Sequence, residues 1–264
     1  MNIIDFHVHA FPDSLAPKAL GGLAHASGLT PFTDGTLSGA KAAMKRWNTT
    51  GFVLLNIAST PSQERPCNDF CIGAKEEGIY PFGSVHPHSP NCLSELERIK
   101  AAGLRGIKFH NEYQGFAADD PAAYPVYERA AQLGLIMLFH GGFDPGFPQR
   151  DYASPARLGR VAEDFRGAKL VVAHLGDALS TGGVMEQLVG KELFLDTSMA
   201  YYQLPKANVK ALIEAHGAHR ILYASDCPWG GGMQTQKYLH DLGLTEEQLA
   251  QIFYKNAERL LEQS

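Results

Sequence analysis

The feature that most constrains the fold is a short apolar run that recurs along the chain at a spacing of about thirty residues. Eight such runs are rich in β-branched and aromatic residues, and several are apolar on both faces, as parallel strands covered by helices are. They lie at Ile3–His7, Phe52–Ala58, Tyr80–His86, Gly106–His110, Leu135–His140, Lys169–His174, Leu193–Thr197 and Arg220–Ser225. The repeat therefore predicts eight parallel β-strands.

Signals for helix ends lie between these runs. Asp120-Pro121 and Ser154-Pro155 each place a capping residue before a proline that suits the first helical turn. A glycine stands where each of several helices is expected to end, at Gly103, Gly134, Gly167, Gly190 and Gly217. Strands that alternate with helices over 264 residues predict an α/β fold, a (β/α)8 TIM barrel that forms a single domain over residues 1–264.

An open, doubly wound sheet is the alternative architecture. It predicts a glycine-rich phosphate-binding turn after an early strand, and the sequence contains no GxGxxG. Three connections are longer or looser than the others, at residues 10–38, 141–153 and 229–233. They follow strands one, five and eight, and on a TIM barrel they lie on the face that carries the active site. We expect them either to cover a pocket or to be variable surface loops.

Polar residues collect where the predicted strands end. A barrel brings the carboxyl ends of all its strands to one rim, so residues far apart in sequence become neighbours there. Strand four ends with Lys108 and strand eight with Asp226. Of the 11 histidines, seven fall at or just after a strand end: His7, His9, His86, His88, His110, His140 and His174. This concentration predicts a functional site at the rim.

The residue types at the rim suit a metal ion. His7 and His9 are two residues apart on the first strand, so their side chains face the same way, and so does that of Asp5. Neutral imidazoles and a carboxylate favour zinc, and a catalytic zinc keeps a position open for water. We predict a metal site with the ligands His7, His9, His140 and Asp226. Zn²⁺ is expected, with Mn²⁺ or another divalent ion as the alternative, and Asp5 is expected to orient a ligand imidazole.

The other rim residues suggest catalytic and substrate-binding roles. His174 is predicted to shuttle a proton or hold an oxyanion, with a second metal ligand or a packed histidine as alternatives. Asp226 is predicted to accept a proton in addition to its role as a ligand. Lys108 is predicted to bind a substrate carboxylate, although a carboxylated bridge between two metals and a salt-bridged lysine stay open. His110 and His86 are predicted to line the substrate pocket or to support the ligands.

Composition excludes several other classes of partner. The net charge of −5 and the pI near 6.1, without a dense Lys/Arg stripe, argue against nucleic acid or an anionic membrane as partner. The apolar runs are too short for a membrane helix, and no signal peptide is visible. The four cysteines lack CxxC spacing, which indicates reduced thiols in a cytoplasmic protein. We expect a small-molecule substrate, and a homo-oligomer stays open.

Six segments together resemble the metal-dependent amidohydrolase superfamily. They occur in the family's order at residues 4–9, 106–110, 140–142, 173–176, 225–229 and 256–261. More narrowly, the chain resembles the amidohydrolase-2 branch, which includes aminocarboxymuconate-semialdehyde decarboxylase and resorcylate decarboxylase. The resemblance implies one divalent metal, usually zinc, held at His7, His9, His140 and Asp226. It also implies a catalytic histidine at His174.

Three functions follow from these predictions. The first is a metal-dependent hydrolase that activates water to cleave an amide, lactone or ester bond of a small molecule. The second is a non-oxidative decarboxylase that uses the same metal and needs a cationic group, for which Lys108 is the candidate. The chain is short for such decarboxylases, which favours the hydrolase. The third is a metal-binding barrel without catalytic activity.

Overall fold

The computed structural model describes residues 2–263, except for the side chain of Gln203. Within this range the chain forms all eight predicted strands. The first strand keeps its predicted length but is shifted by one residue, and the other seven are shorter than predicted because the last residues of each run belong to the rim. In chain order they are β1 (Ile4–Val8), β2 (Gly51–Leu55), β3 (Ile79–Phe82), β4 (Gly106–Phe109), β5 (Ile136–Phe139), β6 (Leu170–Val172), β7 (Phe194–Asp196) and β8 (Ile221–Leu222).

The strands form a TIM barrel, as predicted. β1 to β3 pair in parallel in one sheet, and β4 to β8 pair in parallel in the other. Backbone hydrogen bonds cross both seams between the sheets. At one seam the Phe6 N–H donates to the Tyr223 carbonyl at 2.8 Å, and at the other the Lys108 N–H donates to the Gly83 carbonyl at 2.8 Å. The strand order is sequential throughout, so the alternative of a doubly wound sheet is wrong.

Helices follow the strands along the chain. They are α1 (Ala16–Ser27), α2 (Leu37–Arg46), α3 (Glu64–Gly73), α4 (Cys92–Ala101), α5 (Asn111–Gln114), α6 (Tyr124–Gln132), α7 (Pro155–Asp164), α8 (Gly182–Gln187), α9 (Ala200–Gln203), α10 (Lys206–His216), α11 (Gly232–His240), α12 (Glu246–Ala250) and α13 (Asn256–Glu262). A π-helical turn over Gln251–Lys255 joins α12 to α13. The glycines predicted to end helices all have φ between 68° and 94°, a range that glycine adopts without strain.

Apolar side chains fill the barrel and separate it from the helices. One cluster of buried residues lies inside the barrel and includes Phe6, Leu138 and Val171, with Leu260 of α13 packed against it. A second, larger cluster packs the outer faces of the strands against the helices. Because apolar residues fill the interior below the rim, the polar residues of the strand ends are confined to the rim itself.

The loop predicted over residues 10–38 differs from the structure, because it contains α1. A proline in the first turn and Gly28 with φ 71° at the end define this helix. Gly21 and Gly22 lie inside it and led to the prediction of a loop. Within residues 2–263, no helix combines the length and apolar character needed to span a membrane.

Candidate metal-dependent active site

A cavity of about 800 Å³ opens at the carboxyl ends of the strands. Seven of the eight residues predicted for the site line this cavity: His7, His9, Lys108, His110, His140, His174 and Asp226. His86 does not line it in the described part of the chain. The His86 ring lies against the Gln114 carbonyl, with 2.9 Å between Nε2 and the oxygen. The barrel therefore gathers residues from both ends of the sequence but leaves His86 outside the cavity.

Three potential ligand atoms converge in the wall of the cavity. The Nε2 atoms of His7 and His9 lie 3.1 Å apart, and Asp226 Oδ1 lies 3.4 Å from each of them. The other ring nitrogens have acceptors as partners. His7 Nδ1 lies 2.8 Å from Asp196 Oδ2, and His9 Nδ1 lies 2.8 Å from the Leu55 carbonyl oxygen. Both Nδ1 atoms must therefore carry the proton and donate it.

This assignment leaves lone pairs on both Nε2 atoms. Burial and the nearby Lys108 hold the pKa of His7 well below its usual value, so the His7 ring is neutral. A carboxylate and imidazole lone pairs that face one another without a proton between them fit a divalent cation. The chemistry of this donor set thus suits a metal ion.

Asp196, at the end of β7, orients the first ligand ring. This role was predicted for Asp5, and that prediction is wrong: Asp5 Oδ1 accepts the backbone N–H groups of His7 and Ser225. The pairing of β1 with β2 shifts register between Asp5 and Val8, so strict alternation of side chains does not hold there. The available signal for Asp196 was an acidic residue within a buried strand.

A second chain of hydrogen bonds runs from Asp196 to His140. Ser198 Oγ donates to Asp196 Oδ1 and lies 2.8 Å from His174 Nδ1, which therefore donates to it. In a neutral His174 ring Nε2 is then an acceptor, and it lies 3.1 Å from His140 Nδ1. His140 Nε2 is left buried and without a hydrogen-bond partner in the described chain. Its lone pair is free for a metal ion, as the prediction requires.

The structure places His140 in a different group of potential ligands from the other three. Ligand atoms of His7, His9 and Asp226 lie within 4.8 Å of one another, and those of His140, His110 and Asp144 form a second such group. The His110 ring stacks on that of His140 with centroids 4.1 Å apart. Asp144, which was missed in the sequence, lies 3.3 Å from His110 Nε2 through Oδ2.

Lys108 is buried at the base of the cavity. Its Nζ lies 3.5 Å from His7 Nε2, and it has no carboxylate within 4.0 Å among residues 2–263. Burial lowers the pKa of Lys108 to about 8, against the opposing effect of Asp196 and Asp226. The interpretation of Lys108 as an ordinary salt-bridged lysine therefore does not fit the structure.

Backbone strain is concentrated at this rim. Five non-glycine residues in the described chain have positive φ, and four of them follow β6, β7 and β8: His174, Leu175, Met199 and Asp226. Such conformations cost on the order of 1–3 kcal/mol each and cluster at functional sites. Three of these four residues, His174, Met199 and Asp226, line the cavity.

A TIM barrel whose carboxyl-terminal rim carries side chains that could hold a metal ion is typical of the class of metal-dependent barrel enzymes. Within that class, the amidohydrolase family model matches residues 4–263, so the chain belongs to the amidohydrolase family, in its amidohydrolase-2 branch. Members of this family are enzymes, and the alternative of a barrel without catalytic activity is therefore dropped. The family is one in which a divalent metal site is expected.

Solved structures share the fold at low sequence identity. The 5-carboxyvanillate decarboxylase from Sphingomonas paucimobilis superposes with a TM-score of 0.75 at 16% identity, covering 99% of both chains. A dihydroxybenzoic acid decarboxylase from Polaromonas sp. JS666, with bound manganese, superposes with a TM-score of 0.75 at 16% identity, covering 99% of this chain and 97% of that one. A probable 2-pyrone-4,6-dicarboxylic acid hydrolase from Acinetobacter baumannii superposes with a TM-score of 0.71 at 15% identity, covering 99% of this chain and 100% of that one. No curated protein matches this chain by sequence.

Proposed function

We propose that the protein is a metal-dependent hydrolase that cleaves an amide, lactone or ester bond of a small molecule. The observation that carries this proposal is the convergence of His7 Nε2, His9 Nε2 and Asp226 Oδ1 within 3.4 Å, with both imidazoles held as acceptors. The unpartnered Nε2 of His140 supports a fourth ligand. Three imidazoles and one carboxylate favour Zn²⁺ over harder ions, with Mn²⁺ as the alternative.

When bound, the metal supplies a water of lowered pKa and polarises the scissile carbonyl. The residues of the chain do the rest of the chemistry. Asp226 accepts the proton of the attacking water at a carboxylate oxygen. His174 then relays this proton from Asp226 to the leaving group, taking it up at Nε2 in place of the hydrogen bond from His140 Nδ1, while Ser198 and Asp196 hold its Nδ1–H.

Lys108 favours a second candidate, a non-oxidative decarboxylase. A buried ammonium 3.5 Å from a ligand nitrogen is well placed to bind a carboxylate or a phenolate at the same site. Both the hydrolase and the decarboxylase would use the same ligands. They differ in whether water is consumed or carbon dioxide is released.

The test uses metal-free protein reloaded with Zn²⁺ or Mn²⁺ and incubated with ester, lactone and amide panels and with hydroxylated benzoic acids. The hydrolase predicts products that incorporate oxygen from labelled water, whereas the decarboxylase predicts released carbon dioxide. Asp226→Asn is expected to lower kcat at least a hundredfold. Asp164→Asn, an exposed change on α7, serves as the matched control. Release of carbon dioxide without hydrolysis of any panel member would overturn the hydrolase.

A further inference from the structure

We infer that the substrate is an amphiphile, with its reacting polar group at the rim and a flexible apolar arm that lies along α1. This inference rests on the proposed function in that it takes the cavity as the substrate site. It adds the chemical class of the group bonded to the scissile carbonyl. It differs from what the names of the structural neighbours state, since those proteins are described with aromatic and dicarboxylic acids.

One face of α1 forms a wall of the cavity. The lining residues recur at the three- to four-residue spacing of a single helix face: Leu15, Lys18, Ala19, Gly22, Leu23 and Ser27. Of the residues of α1, only Ala16 is buried. The apolar part of this face is only partly covered by protein: Ala19 and Leu23 are half-buried, and Leu15 remains 55% exposed. An apolar ligand arm would cover the surface that the chain leaves open.

Much of the rest of the lining is also apolar. Leu29, Ile57 and Phe70 line the same cavity. Leu179 and Tyr202 line its mouth and are 45% and 50% exposed. A lining that is mostly apolar binds hydrocarbon in proportion to the area that it removes from water.

The cavity lacks the cations that a second carboxylate would need. Among its described lining residues there is no arginine, and the lysines are Lys108 and Lys18. Lys108 is buried next to His7, where it can serve only the polar end of a ligand. Lys18 is exposed, so solvent screens its charge. The outer cavity therefore selects against dicarboxylic acids and in favour of apolar groups.

Gly22 offers a way to close the space along α1. An added Cβ would meet nothing within 4 Å at Gly22, and the same holds at Gly21. Neither residue has a positive φ, so both accept a side chain without strain. Only Gly22 lines the cavity, however. Gly22→Leu should fill the space for the arm, and Gly21→Leu is a matched control that gains the same helix propensity.

The first experiment measures binding and does not depend on turnover. Butanoate, hexanoate and octanoate are titrated into zinc-loaded protein by calorimetry, with Trp229 fluorescence as a second readout because Trp229 lines the cavity. We expect affinity to rise about fourfold per added methylene, the increment for transfer of that group from water. Octanoate should then bind about two hundredfold more tightly than butanoate, with a more negative heat-capacity change.

The second experiment repeats the titration with the two variants. Gly22→Leu is expected to reduce the octanoate-to-butanoate affinity ratio at least tenfold, whereas Gly21→Leu should keep the ratio of the wild-type protein. The same contrast is expected in kcat/KM for the corresponding p-nitrophenyl esters. Circular dichroism shows whether each variant has folded. The chain-length series measured on the wild-type protein does not depend on either variant.

The outcomes separate this inference from the proposed function. Hydrolysis of acetyl and butanoyl esters with no dependence of binding or kcat/KM on chain length overturns the inference alone. Equal affinity ratios in folded Gly22→Leu and Gly21→Leu also overturn it. Length-dependent binding without hydrolysis of any ester, lactone or amide contradicts the proposed function and supports the apolar arm.

Discussion

At the scale of single residues, the site depends on which ring nitrogen carries the proton. Asp196 and the Leu55 carbonyl hold Nδ1–H of His7 and His9, which turns both Nε2 lone pairs toward Asp226. The sequence could predict His7, His9 and Asp226 because each ends a recognisable strand. It could not predict the partner of His7, because Asp196 is 189 positions away and is brought near only by closure of the barrel.

We predict that Asp196→Asn lowers metal affinity about 10- to 100-fold. Asn Oδ1 can still accept from Ser198, but its amide would face His7 Nδ1 with a donor and favour the tautomer that has a proton on Nε2. Chelator competition measures the affinity. Asp5→Asn is the matched change: Asp5 Oδ1 accepts the backbone N–H groups of His7 and Ser225, so the metal affinity of this variant should stay within a few-fold of that of the wild-type protein. A larger loss of metal affinity in Asp5→Asn than in Asp196→Asn would contradict the assignment of Asp196 as the residue that orients His7.

We predict that His174→Asn lowers kcat about 10²- to 10⁴-fold, the range for loss of a general acid–base group. Metal content should stay near one equivalent, because the proposed ligands are other residues. Steady-state kinetics on the substrate found in the panels and elemental analysis measure the two quantities. Ser198→Ala, which removes the partner of His174 Nδ1, should have a smaller effect on kcat. Loss of metal together with activity would instead make His174 a ligand.

At the scale of elements, β7 and α1 show where local patterns give incomplete predictions. β7 was placed correctly by its apolar residues, but its polar end was not assigned a role. α1 was missed because Gly21 and Gly22 weaken helix propensity, although Gly28 and the proline in its first turn are ordinary boundary signals. Its apolar face lies over a cavity and not in the core, so no burial pattern was available to reveal it.

His216, the last residue of α10, makes stability depend on pH. Its Nε2–H donates to the Leu193 carbonyl at 3.0 Å, and its Nδ1 accepts the Gly190 N–H at 3.2 Å. Burial lowers the pKa of His216 to about 4, below the usual value of about 6.5. The folded state therefore binds this proton less readily than the unfolded state, and stability falls as pH decreases from about 6.5 to about 4.

We predict that His216→Gln removes at most about 3 kcal/mol of this pH dependence between pH 7 and pH 4. Gln can keep the hydrogen bond to Leu193 but cannot titrate. Urea denaturation at both pH values gives the change in free energy of unfolding for each protein. His219→Gln, which replaces a nearby exposed histidine, provides the control. An unchanged difference between the two pH values in His216→Gln would contradict the prediction.

At the scale of the whole molecule, the barrel could be predicted because its strands repeat and each is set by local sequence. Contacts across the barrel could not be predicted, because the alternation of side chains along one strand does not show which residues of other strands are its neighbours. His140 illustrates this limit: its place on the rim follows from β5, but its grouping with His110 and Asp144 depends on the loop after β5. The same closure brings the lone pairs of three side chains together, and their mutual repulsion should destabilise the metal-free protein.

We therefore predict that Zn²⁺, added to metal-free protein until the free ion reaches 100 times its Kd, raises the Tm by roughly 5–10 °C. An ion present at 100 times its Kd stabilises the folded state by about 2.7 kcal/mol, and each kcal/mol raises Tm by about 2–4 °C for a chain of this size. Differential scanning calorimetry at two zinc concentrations measures the shift and its dependence on concentration. Asp226→Asn should abolish most of the shift, whereas Asp144→Asn should keep it, because Asp144 belongs to the other group of potential ligands. A shift lost in Asp144→Asn and kept in Asp226→Asn would move the metal to the group of His110 and His140.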